Sequence, residues 1–244
     1  MEVYDLHCDT ISAIYEGRKD GKDLSLASSS LQVDLEKMEK GDYRLQTFAI
    51  FLDRANTENC FATAGEMTEL FKKELEKNRD KISQVYTYQD IQRNKAEGKM
   101  SALLSLEEGG IFEKAPEDLR WFYDQGARIA TLTWNHENEL AYPNCQGDPF
   151  KDHPWSWGEE RGLKEKGIQA LEQMESLGMI PDVSHLSADE FQFLGHVVDR
   201  RPLHEQRNDR NEKHRIEDER GIIDSRGQRI GRKDNRDSSA QSDP

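Results

Sequence analysis

The sequence has no excess of basic residues, because 34 lysines and arginines stand against 48 aspartates and glutamates, for a formal net charge of −14. A chain this acidic repels a phosphate backbone, so we expect no nucleic-acid partner. It also lacks any apolar run near the ~18 residues of a membrane span, and its start, MEVYDLHCDT, has no basic stretch followed by an apolar one. We therefore expect a protein that is neither exported nor bound to a membrane.

Cysteine is scarce as well. The three cysteines, Cys8, Cys60 and Cys145, are odd in number and widely spaced, which fits neither a disulfide framework nor a four-cysteine zinc site. We expect reduced thiols and a cytoplasmic location. A glycine-rich phosphate loop after the first strand-like segment is also missing, which disfavours a dinucleotide-binding sheet.

Short apolar runs alternate with longer amphipathic ones from residue 1 to about 198, a pattern typical of βα units around a parallel sheet. The predicted strands are residues 3–6, 45–52, 84–88, 102–106, 129–134 and 180–183. Helical spacing marks residues 61–78, residues 163–177 before Gly178, and residues 188–198 after Ser187. These units predict an α/β fold, a TIM-type (β/α)8 barrel that is incomplete and lacks its last strands.

Residues 199–244 have a different composition. They are rich in Arg, Asp and Glu, contain no aromatic residue, and have few apolar ones. Such a segment cannot bury enough surface to offset the entropy lost on ordering. We therefore expect a partial barrel domain over residues 1–198 and a disordered tail over residues 199–244.

Histidines and carboxylates stand where the predicted strands end. His7 and Asp9 follow the first strand, Glu107 and Glu108 end the fourth, and His185 ends the sixth. Side chains at the carboxyl ends of parallel strands meet at one mouth of a barrel, and these are the ligand types that hold one zinc ion or two. His7 and Asp9, two apart on an extended segment, point to the same side and can reach one ion.

Each of these elements also has a simpler interpretation. A His-x-Asp pair is common by chance, and Glu107 and Glu108 before two glycines also fit a solvated turn or a helix start. His185 also fits a buried, hydrogen-bonded histidine. The metal hypothesis depends on all three elements lying at predicted strand ends in this order.

Four stretches, DLHCDT, SLEEGG, TLTWNHENELA and GLKEKGIQALEQMESLGMIPDVSHLS, resemble successive motifs of the membrane (renal) dipeptidase family of zinc peptidases, in its bacterial branch. The resemblance covers residues 1–198. It implies a barrel of the metal-dependent hydrolase kind with two zinc ions and a dipeptide substrate. A water or hydroxide that bridges the two ions would attack the peptide carbonyl, while zinc polarises the carbonyl oxygen.

The resemblance also implies roles for single residues. His7 and Asp9 would bind the first zinc, Glu108 would bridge the two ions, and His185 would bind the second. Glu108 and Asp9 would thus belong to the catalytic centre, with Glu107 a neighbour instead of a ligand. The family's substrate-binding histidine matches the position of Trp134, which makes the nearby His136 the candidate for substrate binding. A polar rim loop without substrate contact is the alternative.

The resemblance weakens after about residue 198. Family members continue with an apolar strand and a Ser-His-Ser stretch whose histidine completes the second zinc site, whereas this chain reads RRPLHEQRNDRN. His204 arrives too early to be that ligand, and Arg215 only faintly echoes the arginine that holds the substrate carboxylate. We expect the second site to bind zinc poorly. A shift of reading frame near residue 199 would explain the change, and a search of the other two frames for Ser-His-Ser tests it.

Three functions remain open at this point. The first is a zinc dipeptidase, which also permits a homodimer, and the second is an inactive remnant or metal-binding protein on the same fold. The third is a metal-dependent amidohydrolase acting on a cyclic amide. That class normally has His-x-His after the first strand and a bridging lysine, whereas this chain has Asp9 and the carboxylates of SLEEGG.

Overall fold

The computed structural model of the protein describes residues 1–114, 117–146, 156–157 and 163–186. The predicted helix 188–198, the predicted tail, His204 and Arg215 lie outside the described residues. The division of the chain at about residue 198 therefore stays a prediction.

In the described part of the chain, strands alternate with helices. The strands are β1 (Val3–Asp5), β2 (Tyr43–Phe51), β3 (Ile82–Gln84), β4 (Met100–Glu107), β5 (Ala127–Thr131), β6 (Cys145–Gln146), β7 (Ser156–Trp157) and β8 (Ile180–Asp182). The helices are α1 (Thr10–Lys19), α2 (Leu35–Lys40), α3 (Cys60–Lys77), α4 (Tyr88–Ala96), α5 (Glu117–Asp124) and α6 (Glu165–Leu177). Short 3-10 helices cover Arg54–Asn56 and Gly109–Ile111.

The main sheet is parallel throughout, in the order β1-β2-β4-β5-β8, with β3 paired to the start of β4. Strands β6 and β7 form a separate antiparallel pair. Residues at the ends of β1 and β8, the two edge strands, line one cavity. The sheet must therefore curve to bring these ends together. A parallel sheet with intervening helices confirms the predicted α/β class, and its described strands form an arc of a barrel.

Strands β2 and β4 form the centre of the arc and run side by side from Leu45 opposite Ser101 to Phe51 opposite Glu107. Most of their residues are buried, as expected for parallel strands that are covered on both faces. Phe48 of β2 is fully buried, and its ring centroid lies 5.7 Å from that of Phe71 on α3. This packing fixes α3 against the sheet.

Local signals explain where several elements begin and end. The predicted helices 61–78 and 163–177 are confirmed to within two residues, and Gly178 ends α6 in the left-handed conformation with φ 72°. The predicted strand 84–88 is displaced, because the strand β3 ends at Gln84 and Thr87 and Asp90 form a capping box that starts α4. Among the described residues, every helix is too short or too polar for a membrane span.

Candidate metal centre

The first part of the site is the segment that follows β1. The Cys8 N–H donates to the Thr47 carbonyl at 3.0 Å, and the Ala49 N–H donates to the Cys8 carbonyl at 2.9 Å. This pairing keeps the segment extended, with the Cys8 side chain buried and those of His7 and Asp9 exposed. Asp9 is the N-cap residue of α1, yet its carboxylate makes no capping hydrogen bond. It is therefore available to His7.

Glu107, the last residue of β4, lies between two histidines. The Nε2 atom of His7 is 3.2 Å from Asp9 Oδ1 and 3.1 Å from Glu107 Oε2. The other carboxylate oxygen of Glu107 is 3.9 Å from His185 Nε2. Potential ligand atoms of His7, Asp9 and Glu107 all lie within 4.8 Å of one another. Three strand ends thus bring these four side chains together.

Glu107, and not Glu108, is the carboxylate beside the histidines, whereas the family resemblance implies a bridging role for Glu108. The side chain of Glu108 is fully buried, and its carboxylate accepts hydrogen bonds from Gly110 N, Asn138 Nδ2 and Trp134 N. Glu108 lies just past the end of β4 with φ 110°, outside the extended strand. Glu107 faces the histidines, whereas the side chain of Glu108 faces the protein interior.

Two carboxylates control the protonation of His7. The hydrogen bond to Asp9, followed by that to Glu107, raises the pKa of His7 from 6.5 to about 10. Anionic groups that stabilise an imidazolium also attract a divalent cation to the same place. A proton and a metal ion therefore compete for His7.

His185 is oriented by a neighbouring loop. Its Nδ1 atom lies 3.2 Å from Asn135 Oδ1, and its backbone carbonyl accepts a hydrogen bond from Asn144 N at 2.7 Å. The backbone of His185 has φ 69°, an uncommon value for a residue other than glycine. Histidine ligands of zinc commonly donate a hydrogen bond from the N–H of their second ring nitrogen to an oxygen acceptor. The contact leaves Nε2 directed towards Glu107.

A cavity of about 510 Å³ opens over this cluster. Its polar lining includes His7, Glu107, Asp182 and His185, and its apolar lining comes mainly from β8 and the residues next to it. The Asp182 carboxylate accepts a hydrogen bond from Thr131 Oγ1 at 3.1 Å. The cavity thus combines donors that suit a metal ion with walls that suit an organic ligand.

His136 pairs with Asp53, apart from the cluster of ligand atoms. Its Nε2 atom is 3.1 Å from Asp53 Oδ1. The Trp134 ring contacts both His136 and His185, at centroid distances of 6.0 and 6.2 Å. Its substrate-binding role stays a prediction, as does that of Arg215.

Sequence reasoning missed two asparagines, Asn135 and Asn138. Both are buried and lie in TLTWNHENELA, one of the stretches that carry the family resemblance. Buried asparagines after a strand end are a signal for loop hydrogen bonds, but burial is not visible in the sequence.

Residues 1–197 match the model of the family described as membrane dipeptidase (peptidase family M19). The chain belongs to this family. Among curated relatives, an uncharacterized dipeptidase, C965.12, of Schizosaccharomyces pombe is 27% identical over 168 residues, covering 63% of this chain and 38% of the relative. Dipeptidase tcpJ of Claviceps purpurea is 23% identical over 186 residues, covering 72% of this chain and 42% of the relative. This M19 chain thus spans about two fifths of these relatives.

Solved structures show the same fold. Dipeptidase AC, a metallopeptidase of family M19, is similar with a TM-score of 0.68 at 18% identity, covering 81% of this chain and 60% of that one. A metallopeptidase from Rhodobacter sphaeroides, liganded with a phosphinate mimic of the dipeptide L-Ala-D-Ala, has a TM-score of 0.66 at 16% identity, covering 81% and 62%. The described arc is therefore part of the barrel-like fold of M19 dipeptidases.

Proposed function

We propose that this protein is a zinc-dependent dipeptidase that hydrolyses the peptide bond of dipeptides. The observation that carries the proposal is the position of Glu107 between His7 and His185 in a chain of the M19 family. A carboxylate placed between two imidazoles can bind two ions at once.

The donor chemistry fits zinc. Imidazole nitrogens combined with carboxylate oxygens are typical zinc ligands, whereas calcium and magnesium prefer sites made of oxygen alone. His7, Asp9 and Glu107 would hold one ion, and Glu107 and His185 would contribute to a second. When bound, zinc polarises a carbonyl oxygen and lowers the pKa of water.

The surrounding residues would bind and orient the substrate. The cavity of about 510 Å³ is large enough for a dipeptide, and its apolar walls suit the apolar part of an organic ligand. The Trp134 ring lies behind His185, at a centroid distance of 6.2 Å, and supports its position. We further propose that His136, held by Asp53, contacts the substrate.

The test combines metal content with turnover. We expect about two zinc ions per chain in the protein loaded with excess zinc, and hydrolysis of L-Ala-L-Ala that a chelator abolishes and zinc restores. L-Ala-D-Ala belongs in the same assay, because a structural neighbour binds a mimic of it. Glu107→Ala removes the shared ligand and should abolish hydrolysis, while the exposed Glu137→Gln is the matched control. Zinc binding without hydrolysis of either dipeptide at high protein concentration would contradict the proposal.

A second candidate is a metal-binding protein without catalysis. It is favoured by the second position, where the described residues offer two ligands, Glu107 and His185, against three at the first. This candidate predicts one zinc ion per chain and no turnover. An amidohydrolase for cyclic amides is less consistent with membership of the M19 family.

Two expectations about the protein's surroundings are proposals of the same kind. A cytoplasmic location is supported by the free thiols of the buried Cys8 and Cys60. A homodimer is compatible with the family resemblance, and sedimentation of the purified protein tests it.

A further inference from the structure

The buried carboxylate of Glu108 accepts hydrogen bonds from three donors within the protein. Oε1 accepts from Gly110 N and from Asn138 Nδ2, both at 2.8 Å, and Oε2 accepts from Trp134 N at 3.2 Å. Burial raises the pKa of this carboxyl group, and these hydrogen bonds partly offset the cost of burying it. Glu108 thus connects the end of β4 to the loop after β5.

The loop formed by residues 132–141 is folded around Asn138. Asn138 Nδ2 also donates to the Leu132 carbonyl at 2.9 Å, and its Oδ1 accepts from Leu140 N at 2.8 Å and Ala141 N at 3.0 Å. The side chain is only 2% exposed. Both donor positions and both acceptor positions of the Asn138 amide are therefore occupied. Glu108 thus holds a loop that is cross-linked by its own hydrogen bonds.

Close backbone contact reinforces the connection. A Cβ atom placed on Gly109 would lie 1.9 Å from the Leu132 carbonyl oxygen. The β4 end and the loop therefore meet at a distance that only glycine permits at this position. Little room remains for the loop to shift while Glu108 keeps its bonds.

The same loop carries the residue that orients His185. Asn135 is buried, and its Oδ1 is 3.2 Å from His185 Nδ1. An amide oxygen only accepts hydrogen bonds, so His185 Nδ1 must carry the proton in this contact. The lone pair of Nε2 then faces Glu107, as a metal ligand requires.

We propose that Glu108 is a positioning residue. It fastens the loop of residues 132–141 to the end of β4, and through Asn135 it fixes the tautomer and the direction of His185. This inference rests on the metal site of the proposed function, but it concerns the histidine and not the hydrolysis.

The first measurement needs no metal. In metal-free protein at a pH where His185 is neutral, ¹⁵N chemical shifts report which ring nitrogen carries the proton. We expect the Nδ1–H tautomer to predominate in the wild type. Glu108→Gln replaces one acceptor oxygen by an NH2 group that faces backbone or amide donors, and it should shift His185 towards the Nε2–H tautomer. The exposed Glu137→Gln on the same loop should leave it unchanged.

The second measurement is titration with Co²⁺, followed by its visible absorption. Loss of an outer hydrogen-bond partner typically weakens metal affinity about 10–100-fold. We expect a loss of this size for the Co²⁺ that His185 binds in Glu108→Gln, and the same loss in Asn135→Ala. The double variant should lose no more than either single one, because both act through one contact.

Several outcomes decide the proposal. The proposal is overturned if Glu108→Gln leaves the His185 tautomer and the Co²⁺ affinity unchanged, or if it lowers only the stability of the protein. It is also overturned if the losses of Co²⁺ affinity add in the double variant. If Glu108→Gln does not fold, Asn138→Ala cuts the same connection from the loop side and must give the same changes. The dipeptidase proposal fails separately, when wild-type protein shows the expected tautomer and Co²⁺ binding but no hydrolysis.

Discussion

Replacing Glu107 by glutamine should lower the pKa of His7 in the metal-free protein. The two carboxylates of Asp9 and Glu107 lie 3.2 and 3.1 Å from His7 Nε2, and together they raise its pKa to about 10. Glutamine keeps the size of the side chain and removes its charge. The change therefore isolates the electrostatic contribution of Glu107.

The magnitude follows from this geometry. An opposite charge within about 4–6 Å typically moves a pKa by ~1–3. His7 is 46% exposed, so solvent screens the interaction, and we expect a decrease of about 1–2. The contact with Asp9, the larger of the two causes, remains. The pKa of His7 in the variant should therefore stay above its ordinary value of 6.5.

The assay is an NMR titration of the His7 ring, with ¹⁵N labelling and thorough removal of metal. Glu108→Gln is the control, because that carboxylate bonds to Gly110, Trp134 and Asn138 and should leave the pKa of His7 unchanged. An unaltered pKa in Glu107→Gln would refute the geometry. If the pKa of His7 fell further in Glu108→Gln than in Glu107→Gln, Glu108 and not Glu107 would be the bridging ligand.

Further predictions concern pH and packing. The pKa of His7 is higher in the folded protein than in the unfolded one, so the stability that His7 contributes to the metal-free protein is complete below about pH 6.5 and is lost as the pH rises through about 10. Zinc affinity should rise over the same pH interval, because the proton leaves His7. Urea unfolding and zinc titrations at several pH values measure the two effects. Gly109→Ala should strongly destabilise the fold, because its Cβ would clash with the Leu132 carbonyl, while Gly65→Ala within α3 should stabilise it by about 0.5–1 kcal/mol, both measurable by thermal unfolding. Phe48→Ala should cost about 3–5 kcal/mol in urea unfolding, since Phe48 is fully buried, and a loss below about 1 kcal/mol would contradict the described core.

The parallel sheet was predictable because its strands are apolar runs that end in polar residues. The central strands β2 and β4 and the helices α3 and α6 lie within a few residues of their predicted bounds. The segment 84–88 shows the limit of this reasoning. Its aromatic residues favour a strand, but the hydrogen bonds between Thr87 and Asp90 start a helix there.

The choice between Glu107 and Glu108 could not be made from the sequence. In an amphipathic strand, alternation of apolar and polar residues shows which side faces the core. In β4 both faces are buried, so alternation distinguishes nothing. The decisive features are the direction of the last residue of β4 and the donors supplied by a loop some thirty residues later, at Asn138. His7, Asp9 and His185 were predictable as neighbours because they directly follow strands of one parallel sheet.

The most direct test of the central claim is a crystal structure of the zinc-loaded protein, with anomalous diffraction at the zinc edge to locate the ions. We predict an anomalous peak within bonding distance, about 2.0–2.2 Å, of His7, Asp9 and Glu107, with Glu107 also facing His185 and Glu108 bonded to Asn138. A peak coordinated by Glu108, or the absence of zinc between His7 and Glu107, would contradict it.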